Sequence, residues 1–130
     1  MRIANVLLEL SGIQWDVVYF CERRATSADL ILDGGHRLIA HRGESYGGVS
    51  ILLHAELADA VVKQCRFGDR VLAVRLHKDG FKFTIISVYM PHAGYEDSVL
   101  ETTYEDLCAA LDWGYKFNRS VAVGGDFSRT

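Results

Sequence analysis

Apolar positions along the chain alternate between two periods. Ile3, Val6, Leu7 and Leu10 recur at the spacing of one helix face, and Gly12 stands where such a helix would stop. Asp16-Val17-Val18-Tyr19-Phe20-Cys21 follows as an unbroken β-favouring run, the pattern of a strand covered on both faces, and it ends at Glu22-Arg23-Arg24. The middle of the chain reads as strands over 37–41, over 48–53 behind a glycine pair, and over 71–77, where Leu72, Val74 and Leu76 share a face. Lys78-Asp79-Gly80 then carries the Asp-Gly signal of a tight hairpin. The return strand covers 81–90. Phe81, Phe83 and Ile85 lie on one face and Ile86, Val88 and Met90 on the other, so its second half is expected to run through the middle of a sheet.

Ser98-Val99-Leu100-Glu101 fits a capping box, in which Ser and Glu side chains satisfy each other's backbone donors. Leu100, Tyr104, Leu107 and Leu111 extend it as one apolar helical stripe, the pattern of core packing. Ser120-Val121-Ala122-Val123-Gly124-Gly125 reads as a last short buried strand that delivers Asp126 to its end. This order of elements predicts a layered α/β protein, a buried sheet with helices on at least one side.

With 130 residues there is room for one domain. Hydrophobic residues at 49% and charged residues at 24% exclude a disordered chain. No apolar run approaches the ~20 residues that span a bilayer, so no membrane partner is expected. A net charge of -3 does not point to nucleic acid by itself. Cys21, Cys65 and Cys108 are odd in number and far apart, with no paired or zinc-type spacing. They read as free thiols of a reducing compartment, which predicts an intracellular protein.

Polar residues gather at three strand ends: Glu22, Tyr89 with His92, and Asp126 with Ser128. Four segments around them, in order, are Asp16-Val17-Val18-Tyr19-Phe20-Cys21-Glu22-Arg23-Arg24, Tyr46-Gly47-Gly48-Val49-Ser50-Ile51-Leu52-Leu53, Ser87-Val88-Tyr89-Met90-Pro91-His92-Ala93-Gly94 and Val123-Gly124-Gly125-Asp126-Phe127-Ser128. They are similar to D-V-V-x-L-Q-E-T-R, G-G-V-x-I-L, N-V-Y-x-P-N-x-G and G-G-D-F-N. In these motifs the chain resembles the endonuclease/exonuclease/phosphatase superfamily. The nearest likeness is to the endonuclease domains of non-LTR retrotransposons and to craniofacial development protein 2-like proteins.

The resemblance implies a DNase I-like two-sheet α/β sandwich and Mg²⁺-dependent (or Mn²⁺-dependent) phosphodiester cleavage, with DNA as the ancestral substrate and a nuclear location if DNA is the target. Glu22 matches the metal-ligand glutamate, and a hard ion of this kind takes oxygen ligands. Asp126 matches the aspartate that orients or deprotonates the attacking water. Tyr89 matches a tyrosine on the scissile phosphate. His92 and Ser128 stand where the family has asparagines; histidine still donates to a phosphate oxygen, whereas the serine hydroxyl reaches less far. Residue by residue, the plainer alternatives are a solvated rim glutamate, a turn aspartate and a half-buried strand tyrosine.

The family's first strand and its C-terminal half have no counterpart in 1–130, so a partial, truncated domain is expected. Three consequences are drawn. Glu22, Tyr89 and Asp126 should converge on one rim of a single sheet. The chain alone should show no appreciable nuclease turnover. Strands 71–77 and 81–90 should present uncovered apolar faces, which favour self-association. Two other functions stay open, a phosphatase acting on a phosphoinositide or nucleotide, and a non-catalytic interaction module or remnant.

Overall fold

The computed structural model describes residues 16–22, 27–42, 48–91 and 94–126. The helix expected over 3–10 lies outside them. The described elements are β1 (Val17–Glu22), β2 (Ala28–Ile31), β3 (Arg37–Arg42), β4 (Gly48–Leu53), a 3₁₀ helix (Ala55–Ala60), β5 (Val61–Arg66), β6 (Val71–Lys78), β7 (Phe81–Tyr89), α1 (Asp97–Tyr115) and β8 (Val121–Asp126). They form an α/β protein of two four-stranded sheets, ordered β1-β4-β3-β2 and β5-β6-β7-β8. Every pairing is antiparallel except β7 with β8, which are parallel and joined through α1. A parallel pair needs such a crossover, and a helix supplies it.

Alternation along β6 and β7 builds two apolar layers. Leu72, Val74, Leu76 and Ile85 face the first sheet and pack with Ile39, Val49, Ile51 and Leu53. Val71, Ala73, Ile86, Val88 and Met90 face the other way, onto Ala110 and the half-buried Leu100, Leu107, Leu111 and Trp113 of α1. The second sheet therefore lies between the first sheet and the helix. This corrects the expectation that strands 71–77 and 81–90 present uncovered apolar faces. Val74, Leu76, Ile86 and Val88 are all 0% exposed, so no uncovered inner face on these strands supports self-association.

The hairpin forms at the Asp-Gly pair. Lys78 pairs with Phe81, and Asp79 (φ 50°) and Gly80 (φ 84°) both take left-handed backbone, the conformation of a type I′ turn. As the two-sided pattern predicts, β7 lies inside its sheet. Other expectations are corrected. Neither β1 nor β8 is covered on both faces: Val17, Val18, Tyr19 and Cys21 are half-buried, and Val123 is 40% exposed. The capping box does not form: α1 starts at Asp97 with Glu96 as the cap residue, and the Ser98 hydroxyl donates to the Glu96 carboxylate. Tyr104 leaves the apolar stripe and is exposed, while Thr103, Ala110 and Gly114 are buried. Gly114 allows a close crossing, since a Cβ there would lie 3.1 Å from Thr84 and 3.2 Å from Val121.

A polar clasp joins the sheets along one edge. Arg37 on β3 donates through Nε and Nη2 to the two carboxylate oxygens of Asp29 on β2, each at 2.8 Å, and through Nη1 to the Ala58 carbonyl at 3.0 Å. Gln64 on β5 donates to the same aspartate at 2.8 Å. The Arg37 guanidinium holds the Asp29 carboxyl below its ordinary range.

Two histidines tie stability to pH. His36 Nδ1 accepts the Ala55 backbone N–H at 3.0 Å, which requires the neutral ring. Burial, with His54 nearby, lowers its pKa; burial and then Arg66 lower that of His41. In both cases the unfolded chain binds protons more readily than the fold. Their contribution is therefore complete above the unfolded value of about 6.5 and is lost as pH falls toward the lower native values. Asp106, raised by burial, acts in the opposite sense but nearer the carboxyl range. The urea midpoint is expected to be lower at pH 5.5 than at pH 7.5, on the order of tenths of a molar. A midpoint that does not change across that interval contradicts this account of His36 and His41.

Candidate functional site

Three strand ends meet at one end of the sandwich. In the parallel pair, Tyr89 is the register partner of Asp126, and the Met90 N–H donates to the Asp126 carbonyl at 2.8 Å. β1 arrives from the opposite sheet: the Cys21 thiol donates to the Val88 carbonyl at 3.4 Å, and Glu22 follows Cys21 as the last residue of β1, opposite Gly48. The backbone thus places Glu22, Tyr89 and Asp126 at a common rim. It is built from both sheets, which corrects the single-sheet expectation. His92 and Ser128 lie outside the described residues.

The two glycines before Asp126 have a packing reason to be there. A Cβ on Gly124 would lie 2.5 Å from the Tyr19 ring, which crosses from β1. Gly125 has φ 131°, outside the range open to other residues, and a Cβ there would lie 2.1 Å from the Val88 carbonyl oxygen. The pair lets β8 approach both β1 and β7, and so brings Asp126 beside Tyr89.

Arg70 is the rim residue that sequence reasoning missed. It is 7% exposed, and the carbonyl of Tyr89 accepts its Nη1 at 3.1 Å while its own carbonyl accepts the Tyr89 N–H at 2.9 Å. Its guanidinium lies 5.2 Å from the Tyr89 ring centre and 4.7 Å from that of Tyr95, a cation held between two aromatic faces. An arginine just before an apolar strand reads the same whether it turns inward or outward, so the pattern held no signal for it.

Cys21 shows the electrostatics of the rim. Burial pushes its thiol up to about 11; the Asp126 backbone N–H opposes this, the Asp126 carboxylate adds to it, and Arg70 opposes it. At neutral pH the group is a thiol and a poor nucleophile. Its role here is to link β1 to β7. Carboxylate and guanidinium fields thus overlap at the point where the sheets meet.

Beside Arg70, a cleft of about 400 Å³ opens between the β5–β6 turn and the first half of α1. Asp69, Asp106, Ser98 and Thr102 line it. Among the described residues no group of three or more His, Cys, Asp or Glu side chains could hold a metal ion. A magnesium ion that keeps its waters needs only one or two carboxylates in addition to substrate phosphate, fewer than such a cluster. Among the described residues no helix is long and apolar enough to cross a membrane. The chain matches no protein-family model and no curated protein.

Proposed function

We propose that the rim is the catalytic end of a DNase I-like sandwich of the endonuclease/exonuclease/phosphatase type, built for metal-dependent phosphodiester hydrolysis. The observation that carries this reading is the meeting of the β1, β7 and β8 ends, each bearing a motif residue (Glu22, Tyr89, Asp126). Glu22 is the residue to hold Mg²⁺ or Mn²⁺, which when bound neutralises charge developing on the phosphate. Asp126 orients the attacking water, and the Tyr89 hydroxyl contacts a phosphate oxygen. Arg70 keeps the Tyr89 backbone and ring in register with Asp126.

The test separates binding from turnover. Mn²⁺ binding, followed by electron paramagnetic resonance, is expected to be weak, to disappear in Glu22→Gln and to persist in Asp126→Asn, whose carboxylate is assigned to the water. Supercoiled plasmid is expected to stay intact with the 130-residue chain in Mg²⁺, because only part of the family's residue set is matched. Mn²⁺ binding unchanged in Glu22→Gln contradicts the hydrolase reading. Brisk nicking that disappears in Asp126→Ala shows instead that the matched residues suffice.

A further inference from the structure

The outer face of α1 has a different character from the rim. Over its 19 residues the helix carries five acids, Asp97, Glu101, Glu105, Asp106 and Asp112, and neither a lysine nor an arginine. By helical spacing Asp97, Glu101, Glu105 and Asp112 fall on the side opposite the buried Thr103, Ala110 and Gly114, and all four are exposed. Asp97, Glu101 and Glu105 follow one another at i, i+4 and i+8, a spacing at which like charges destabilise a helix. The favourable place for an acid, the first turn, accounts for Asp97 alone. Beside this face, burial raises the Asp106 carboxyl, and Glu105 and Asp69 raise it further.

Two tyrosines stand among these acids. Tyr104 and Tyr115 are 52% and 57% exposed, on the same side of the helix as Glu101, and the small Cys108 is exposed between them. Neither ring holds α1 to the sheet, which is the work of Leu100, Leu107, Leu111 and Trp113. The two rings are about three turns, or ~16 Å, apart along the axis, the reach of about five extended residues. Cations bound the face only at its C-terminal end, where Lys116 and Arg119 follow the helix. There Arg75 is engaged: its Nη2 donates to the Trp113 carbonyl at 2.7 Å and its guanidinium lies 3.9 Å from the Trp113 ring centre. The Lys82 ammonium lies 5.6 Å from the Phe117 ring centre.

Surface acids alone are satisfied by water, and a lone exposed tyrosine is ordinary. Interleaved on one face, they match one side chain. A guanidinium pairs with carboxylates through its planar fork and stacks on aromatic rings, whereas a lysine ammonium is a point charge with no plane to stack. The protein uses this pairing within its own fold, with Arg75 on Trp113 and Arg70 between Tyr89 and Tyr95. Tyrosine is also a residue type that anchors protein interfaces. A nucleic acid would be repelled here, and an apolar partner would leave the carboxylates without counter-charge. We propose that the outer face of α1 docks an arginine-bearing segment of a partner protein, with guanidinium groups on the Tyr104 and Tyr115 rings and against Glu101, Glu105 and Asp112. The inference goes beyond the rim reading, since it requires neither metal nor phosphoester.

Fluorescence anisotropy of the full chain with labelled nona-arginine and nona-lysine peptides, in EDTA and over a range of KCl concentrations, tests it. Nona-arginine is expected to bind more tightly than nona-lysine at equal charge. Tyr104→Ala with Tyr115→Ala should weaken nona-arginine binding roughly tenfold and bring it to the level of nona-lysine. The urea midpoint of that variant should not fall, because both rings face water and alanine favours the helix. Glu101→Gln with Glu105→Gln should weaken binding of both peptides and flatten its dependence on salt. Three results would overturn the proposal: no binding at low salt, the two peptides bound alike by the unsubstituted protein, or binding indifferent to both pairs of substitutions. Sedimentation without peptide covers a second copy as the occupant: a dimer that dissociates when the two tyrosines are removed would equally overturn it. Because the assay contains no divalent metal, its failure is distinct from failure of the Mn²⁺ experiment at the rim.

Discussion

Gly125→Ala is expected to destabilise the fold by about 3 kcal/mol or more and to lower the urea midpoint by roughly 1–2 M. Two effects combine. A φ of 131° is unfavourable for any residue with a side chain, which alone costs on the order of 1–3 kcal/mol. The new methyl would also lie 2.1 Å from the Val88 carbonyl oxygen and 2.8 Å from the Val88 nitrogen. Both are backbone atoms, so the overlap is relieved only by moving β8 away from β7 and weakening the ladder that aligns Asp126 with Tyr89. Gly80→Ala is the matched control. Gly80 also has a positive φ, 84°, but nothing lies within 4 Å of the position a Cβ would take. It should cost only the backbone part, about 1–2 kcal/mol. Equal midpoints for the two variants would show that β8 is not packed against β7 as described.

Ile51→Ala is the second large loss, expected at about 2–5 kcal/mol. Ile51 is 0% exposed at the centre of β4, paired with Tyr19 on β1 and Ile39 on β3, and it belongs to the layer that holds the two sheets together. Truncation removes apolar contact from both sheets and leaves a space that neighbours on paired strands fill only in part. Ile31→Ala provides the contrast. Ile31 ends the edge strand β2 and is 63% exposed, so its loss should change stability by less than about 0.5 kcal/mol. Denaturant titration of both variants checks the difference. If Ile51→Ala falls within the error of Ile31→Ala, the sheets do not form a common core.

The parts of the fold legible in the sequence are those where one local rule dominates. The hairpin follows from Asp79-Gly80 between alternating strands, and the central position of β7 from its two apolar faces. The body of α1 follows from Leu100, Leu107 and Leu111, but its start depends on which polar residue near Glu96 caps it, and several candidates are adjacent. β2 and β5 went unread because edge strands are short and face water: Ala-Asp-Leu-Ile and Val-Val-Lys-Gln-Cys-Arg have no clean period. The misreading of cover had another source: it assumed that the family's C-terminal half covers β6 and β7, whereas the first sheet and α1 cover their two faces. At the rim, Tyr89 and Asp126 were legible as strand ends. That β1 reaches them from the other sheet depends on Cys21 meeting Val88, 67 positions later, and no local pattern encodes such a contact.

That same contact bears on the order in which the molecule assembles. The β6–β7 hairpin closes across two residues, an event on the microsecond scale. The rim must instead bring together chain positions 22, 89 and 126, and each of those loop closures costs conformational entropy before any contact repays it. The folding nucleus is thus expected around the hairpin, while the three motif residues come together last. In the native ensemble the order reverses: partial opening begins where β1 and β8 meet, so amide protons at Met90 and its neighbours exchange before those in the middle of β6.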